Sequence, residues 1–287
     1  MTAANLRGWT RMQPMDASAF IFARRNGFNY AAQSMATDFH PTILRFESID
    51  STNLEAMRQA KAGAPEGLAV IAREQTAGRG RLDRIWESPK DAGIYCSIVL
   101  RPTIEMNKWP LLSLVSALAV SDALVRACSL KPDIKWPNDV CVSDRKLCGI
   151  LAETIETASG PAAIIGIGVN LKRTALPDDL RQTATSIEEV TGGQSDIERV
   201  LSELLRAFSE RYDILQSRDG WEHTIREWCA GSSYAYERRV RVSLEHETFT
   251  GVTRGLDRDG ALRVETDDGQ IRIVRAGDVT ALRAQAK

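Results

Sequence analysis

Residues 43–72 run ILRFESIDSTNLEAMRQAKAGAPEGLAVIA, and this stretch decides how the rest of the chain is read. Ile43, Leu44 and Phe46 make a short apolar run of strand character. Residues 51–63 then read as a helix. Thr52-Asn53-Leu54-Glu55 has the spacing of a capping box, and Gly63 with Pro65 supplies a stop. Leu68 to Ala72 is a second strand-like run. Strand, helix and strand in close succession announce a sheet covered by helices.

The pattern continues downstream. Strands are predicted over 93–100, 134–136, 147–153 and 162–169, and helices over 110–128 and 196–215. The first helix ends at Lys131-Pro132; the second carries Ile197, Val200, Leu201, Leu204, Leu205 and Phe208 at helical spacing. Ser113, Ser116, Ser121, Asp122 and Arg126 interrupt the first, which marks it as a buried helix and not a membrane span. After Gly231 the period changes to two: Val240-x-Val242-x-Leu244, Leu262-x-Val264 and Ile271-x-Ile273, with turns at Asp259-Gly260 and Asp268-Gly269. The expected fold class is α+β. A mixed sheet flanked by helices occupies residues 41–232, and a small β-barrel of four or five strands occupies 233–287.

With 287 residues the chain has room for about two domains. Its formal charge of -1 excludes a protein whose task is coating DNA, which needs an excess of Lys and Arg. Cys96, Cys128, Cys141, Cys148 and Cys229 contain no C-x-x-C, and His40, His223 and His246 are scattered. Reduced thiols in a cytoplasmic protein, without structural zinc, follow from that usage. Residues 1–40, with Arg7, Arg11, Arg24 and Arg25, read as an extension or as sequence upstream of a start at Met35; a transit peptide is the alternative. That segment lacks the helices of a helix-turn-helix domain.

Three segments carry candidate chemistry. Glu74-Gln75-Thr76-Ala77-Gly78-Arg79-Gly80-Arg81-Leu82-Asp83-Arg84 interleaves glycines with planar guanidinium donors, a composition suited to a carboxylate or phosphate. Taken alone, those residues read more plainly as a flexible basic surface loop. Lys135-Trp136-Pro137-Asn138-Asp139, followed by Lys146-Leu147-Cys148-Gly149-Ile150-Leu151, sets two ammonium groups beside apolar residues, where each wants an anion. A tight connection with Asx hydrogen bonding explains the Trp-Pro-Asn-Asp turn equally well. Ile165-Gly166-Ile167-Gly168-Val169-Asn170 is a glycine-interrupted strand; a β-bulge is its alternative, and it is no dinucleotide fingerprint.

Together with Glu47-Ser48-Ile49-Asp50-Ser51-Thr52-Asn53, these motifs occur in one order, and in that order the chain resembles the biotin protein ligases over residues 43–283. The resemblance implies a mixed-sheet catalytic domain with an SH3-like C-terminal barrel. It implies ATP, biotin and Mg²⁺, formation of biotinyl-5′-adenylate, and transfer to a lysine of a biotin carboxyl carrier protein. It implies that Ser51, Thr52, Asn53 and Gln75 meet biotin, and that Arg79, Gly80 and Arg81 form the loop folding over it. Lys146 matches the lysine touching the biotin carboxylate and α-phosphate, and Gly149 leaves ligand room. On the nucleotide side it implies Trp86 near adenine, Lys135, Asn138 and Asp139 near phosphates and metal, and Asn170 at adenine; a core anchor is the alternative for Trp86. Asp139 is the one metal ligand suggested. Arg79, Arg81 and Lys146 are the expected catalytic cations.

Two positions depart from the family pattern. Asp83 stands where many members have glycine, with Arg84 as its expected partner, and Cys148 replaces a commoner alanine. The expected protein is a ligase without a DNA-binding domain and without a membrane association, for which a sheet-edge homodimer is compatible. Lipoate ligases share the catalytic fold and are the nearest rival.

Overall fold

The computed structural model describes Phe39 and residues 41–282, so the expectations for the N-terminal extension lie outside the described residues. The first half builds β1 (Thr42–Phe46), α1 (Thr52–Lys61), β2 (Leu68–Ala72), β3 (Gly93–Leu100) and α2 (Leu111–Cys128). Four strands follow: β4 (Asp133–Lys135), β5 (Asp139–Val142), β6 (Arg145–Thr157) and β7 (Gly160–Asn170). Then come α3 (Ile187–Thr191), α4 (Ile197–Gln216) and α5 (Gly220–Ala230). The seven strands form one sheet in the order β1-β2-β3-β7-β6-β5-β4; β1 and β2 are parallel and every other pair is antiparallel.

Alternation along the strands sends successive side chains to opposite faces. One face carries Ile98 and Leu100 of β3 with Ile165, Ile167 and Val169 of β7, all buried in the main core beneath α2 and α4. The other face carries Val70, Val99 and Ile164, packed under α1 with Ala56 and Ala60. α2 is apolar and long enough to cross a membrane, yet 61% of it is buried inside the fold, as its reading as a core helix expects. It ends at Ser129, which takes a left-handed φ of 55°, before the predicted Lys131-Pro132 stop.

The C-terminal part forms β8 (Tyr236–Ser243), β9 (Thr248–Leu256), β10 (Leu262–Thr266), β11 (Ile271–Val274) and β12 (Asp278–Ala281), an antiparallel sheet ordered β11-β10-β9-β8-β12. Gly260 and Gly269 take φ +81° at two of its hairpin turns, a conformation that glycine adopts without a Cβ clash. The two sheets share one hydrophobic cluster through Val240, Val242, Leu262 and Val264. Trp136 Nε1 donates to Gly260 O at 3.0 Å and Lys108 Nζ to Arg258 O at 2.9 Å, tying this sheet to the larger one.

Several local readings change. Ser51, not Thr52, is the N-cap of α1, and no side chain caps it. Thr52 cannot cap because its hydroxyl is engaged with Gln75 and Ser97, while Glu55 turns to Arg58 and Gln59. The Trp136–Asn138 turn exists, with a cis Trp136–Pro137 bond, but it connects two strands, and β5 was not anticipated. α5, β9 and β12 were not anticipated either. The bulge reading of 165–170 fails: β7 pairs with β3 and β6 without a register shift through both glycines.

Candidate active site

Why β7 alternates glycine with β-branched residues is visible at its open face. Gly168 pairs across the ladder with Gly149 of β6, and Gly166 pairs with Ser97 of β3 and Leu151 of β6. A Cβ on Gly168 would lie 2.5 Å from the Trp86 ring, one on Gly149 2.8 Å from that ring, and one on Gly166 2.2 Å from Asn53 Oδ1. The bare backbone of these strands is therefore a platform on which side chains from elsewhere are laid. Gly149, expected to leave room for a ligand, leaves room for Trp86.

Above this platform lies a cavity of about 470 Å³. Ser51, Thr52, Asn53, Gln75, Arg79, Gly80, Arg81, Trp86, Lys135, Asn138, Asp139, Lys146, Gly149 and Asn170 all line it. The size suits a drug-sized ligand held by a few convergent polar groups. At its inner end Thr52 N and Oγ1 lie 2.8 and 3.0 Å from Gln75 Oε1. Gln75 Nε2 donates to Ser88 Oγ at 2.7 Å, and Ser88 donates to Trp86 O at 3.0 Å. The fully buried Ser97 hydroxyl donates to Asn53 Oδ1 at 2.6 Å and sits 2.7 Å from Thr52 Oγ1. This chain of hydrogen bonds orients the amide and hydroxyl groups that face the cavity. Nothing in the sequence reading singled out Ser97, although a lone polar residue in the apolar run 93–100 was its signal.

The cations are held differently from one another. Lys146 Nζ is 2.7 Å from Asp139 Oδ1 and 5.4 Å above the Trp86 ring. Its backbone is pinned as well, since Lys146 N donates to Thr183 O and Thr185 N to Lys146 O, each at 2.8 Å. Arg79 is bound to Glu153. Arg81 donates to two neutral acceptors, Asn138 Oδ1 at 3.1 Å and Gly277 O at 3.4 Å. Burial lowers the Arg81 pKa from its usual value, opposed by the charges of Asp278 and Asp139. A half-buried guanidinium with neutral partners has the greatest gain from an arriving anion. Lys135 lies 6.0 Å from the Tyr234 ring, and Asn170 donates through Nδ2 to Thr185 O at 3.1 Å. Asn138 is clamped to β6 by Nδ2 donating to Ile150 O at 2.6 Å.

The loop itself departs from expectation. Leu82 and Asp83 both adopt left-handed φ, 55° and 56°, so Asp83 occupies a conformation for which the glycine of other members is better suited. Arg84 pairs with Asp278 of β12 and not with Asp83. Asp278, Val279 and Thr280 join the cavity wall, a contribution of the C-terminal sheet that the sequence did not signal. Asp139, the suggested metal ligand, lines the cavity beside Lys146. Among the described residues no group of three or more His, Cys, Asp or Glu is placed to hold an ion, and Asp139 is spent on Lys146. Cys148 is fully buried, and burial pushes its thiol above the ordinary range, which agrees with a packing role.

Residues 45–170 match the biotin/lipoate A/B protein ligase family, and residues 237–280 match the biotin protein ligase C-terminal domain. The biotin–[acetyl-CoA-carboxylase] ligase of Mycobacterium tuberculosis is 35% identical over 239 residues, covering 81% of this chain and 86% of that one. Biotin protein ligase from Aquifex aeolicus in complex with biotin and ATP superposes with a TM-score of 0.73 at 29% identity, over 85% of this chain and 100% of that one. The Leishmania major enzyme in complex with biotinyl-5-AMP gives 0.56 at 27% identity, over 83% and 100%. A glycine platform roofed by an arginine loop, in a chain matched at both of its sheets, places this protein among the biotin protein ligases.

Proposed function

We propose that this chain activates biotin with ATP as biotinyl-5′-adenylate and passes the biotinyl group to one lysine of a biotin carboxyl carrier protein, such as that of acetyl-CoA carboxylase. The observation that carries this reading is the convergence of all fourteen expected site residues on one cavity over the Gly149–Gly168 platform. Residues 41–232 serve as the catalytic domain and 233–287 as the small C-terminal domain. The partner is a carrier domain in the cytoplasm, with neither DNA nor a membrane involved. A homodimer along a sheet edge is compatible with this role.

The first step brings the biotin carboxylate onto the α-phosphorus of ATP, and the bond to the pyrophosphate oxygen breaks. Two anions must approach, so fixed cations and oriented donors offset their repulsion and the charge that develops. Lys146 and Arg81 are aimed into the cavity for this purpose, Lys146 steadied by Asp139 and Arg81 by Asn138. Magnesium enters with ATP as part of the substrate, held by phosphate oxygens and water. Ser51, Thr52, Asn53 and Gln75 receive the neutral ureido ring, for which a few placed hydrogen bonds in an otherwise apolar pocket suffice. Trp86 covers the adenylate, and Lys135 and Asn170 take the nucleotide end. In the second step the carrier lysine's Nζ attacks the mixed anhydride and AMP departs.

Label transfer tests the proposal. Purified apo carrier domain is incubated with the chain, ATP and Mg²⁺, with biotin and lipoate offered in separate reactions, and carrier mass is read. A biotin-sized gain that vanishes when the acceptor lysine is replaced is expected. A gain with lipoate alone, or none with either, contradicts it.

A further inference from the structure

We infer that Glu153, a residue in none of the motifs, is the positioning residue that holds the arginine loop and the start of α1 together over the platform; this rests on the functional reading above. Glu153 lies on β6 two and four residues beyond Leu151 and Gly149, hence on the same face. Both of its carboxylate oxygens are engaged. Oε1 is 3.0 Å from Arg79 Nη2, and Oε2 accepts from Arg79 Nη1 at 3.2 Å and from Asn53 Nδ2 at 2.9 Å. The guanidinium fork and the carboxylate meet in the two-point geometry that fixes direction as well as distance. Asn53 in turn takes the Ser97 hydroxyl on its Oδ1, so one carboxylate connects the loop, the helix start and the central strand.

A carboxylate at the wall of a cavity built for two anions is electrostatically adverse on its own. Here its charge is cancelled by Arg79, whose side chain it holds at 37% exposure while its own is 21% exposed. The consequence is a division of labour inside Gly78–Arg81. Arg79 is the tether by which the loop is fastened to the sheet, and Arg81 is the guanidinium left for the ligand. Glu153 therefore acts through Arg79 on how well the loop closes over biotin, and leaves the reacting atoms to Lys146 and Arg81.

The test is a double-mutant cycle of Glu153→Ala, Arg79→Ala and the pair, read as KM for biotin and kcat in ATP–pyrophosphate exchange, with melting temperatures alongside. Each single change is expected to raise the biotin KM about tenfold, the effect of losing one charge-assisted pair, and Glu153→Ala, which leaves every cavity cation in place, to hold kcat within about threefold. The double change should be no worse than the worse single, because both remove one contact. Glu153→Gln, which keeps the shape and a neutral acceptor, is expected to fall between wild type and Glu153→Ala, and carries the test if the alanine variant fails to fold. Effects that multiply in the double variant, or a kcat loss at unchanged KM, overturn the role. Absence of biotin-dependent exchange in the wild type would overturn the functional reading and this role with it; exchange with an unmoved KM overturns the role alone.

Discussion

The two faces of β7 show one strand serving two masters. On the core face Ile165, Ile167 and Val169 are buried to within a few per cent of complete, locked under α2 and α4. On the other face Gly166 and Gly168 offer no side chain at all, and Asn53 and Trp86 lie where Cβ atoms would be. Glycine in a strand interior loses about 0.5–1 kcal/mol against alanine through chain entropy. Stability is thus drawn from Ile165, Ile167 and Val169, and given up at Gly166 and Gly168, and the difference separates what folds this protein from what it binds.

That separation can be broken by substitutions on either face. The largest expected effect is Lys146→Ala, which removes the charge acting on the reacting anions and should slow adenylation about 10²–10³-fold with the fold intact. Survival of activity within a few-fold would remove Lys146 from the chemistry. Next is the paired comparison of Gly168→Ala with Ile167→Ala. The first drives a methyl into the Trp86 ring and should weaken biotin binding about tenfold or more while melting changes little. The second leaves a cavity in the core and should cost about 2–5 kcal/mol of stability, with KM per folded molecule unchanged. Calorimetric melting and titration on the same samples decide it; a large stability loss from the glycine variant would erase the distinction between the faces.

The smallest effect sharpens the account at the cavity's approach. Asp50 accepts from Ser51 N at 2.7 Å and pairs with Arg58, which holds its carboxyl down at about 2 from an ordinary 3.8. A carboxylate with a depressed folded-state pKa stabilises the fold above the unfolded value, and that contribution disappears as pH falls through about 2. Both side chains are largely exposed, so the pair contributes under about 1 kcal/mol. Urea titrations should show wild type slightly more stable than Asp50→Asn at pH 6, with the gap closing between about pH 4 and pH 2. A gap that persists at the acid end contradicts the assignment.

The order of elements was legible in the sequence wherever local period decides, as in 68–72, 93–100 and 196–215, and the cavity residues were legible because their motifs are local. What escaped depends on partners distant in the chain. Glu153 meets Arg79 across 74 positions, and Arg84 meets Asp278 across 194. Asp83 was expected beside Arg84 on sequence proximity, but its left-handed backbone sits in a loop whose arginine reaches to β12. β9 carries Gly251 and Gly255 and has no clean alternation; its position follows from pairing with β8 and β10. α5 did leave a trace, since Trp221, Ile225, Trp228 and Cys229 fall at helical spacing and pack on the core.

ATP–pyrophosphate exchange by the unmodified chain, with biotin, with lipoate and with no acid, tests the central claim most directly. Exchange that requires biotin and ignores lipoate is predicted, because the proposed function assigns the platform and its polar inner end to biotin, with its carboxylate toward ATP. Exchange driven by lipoate, or none with biotin present, would contradict it.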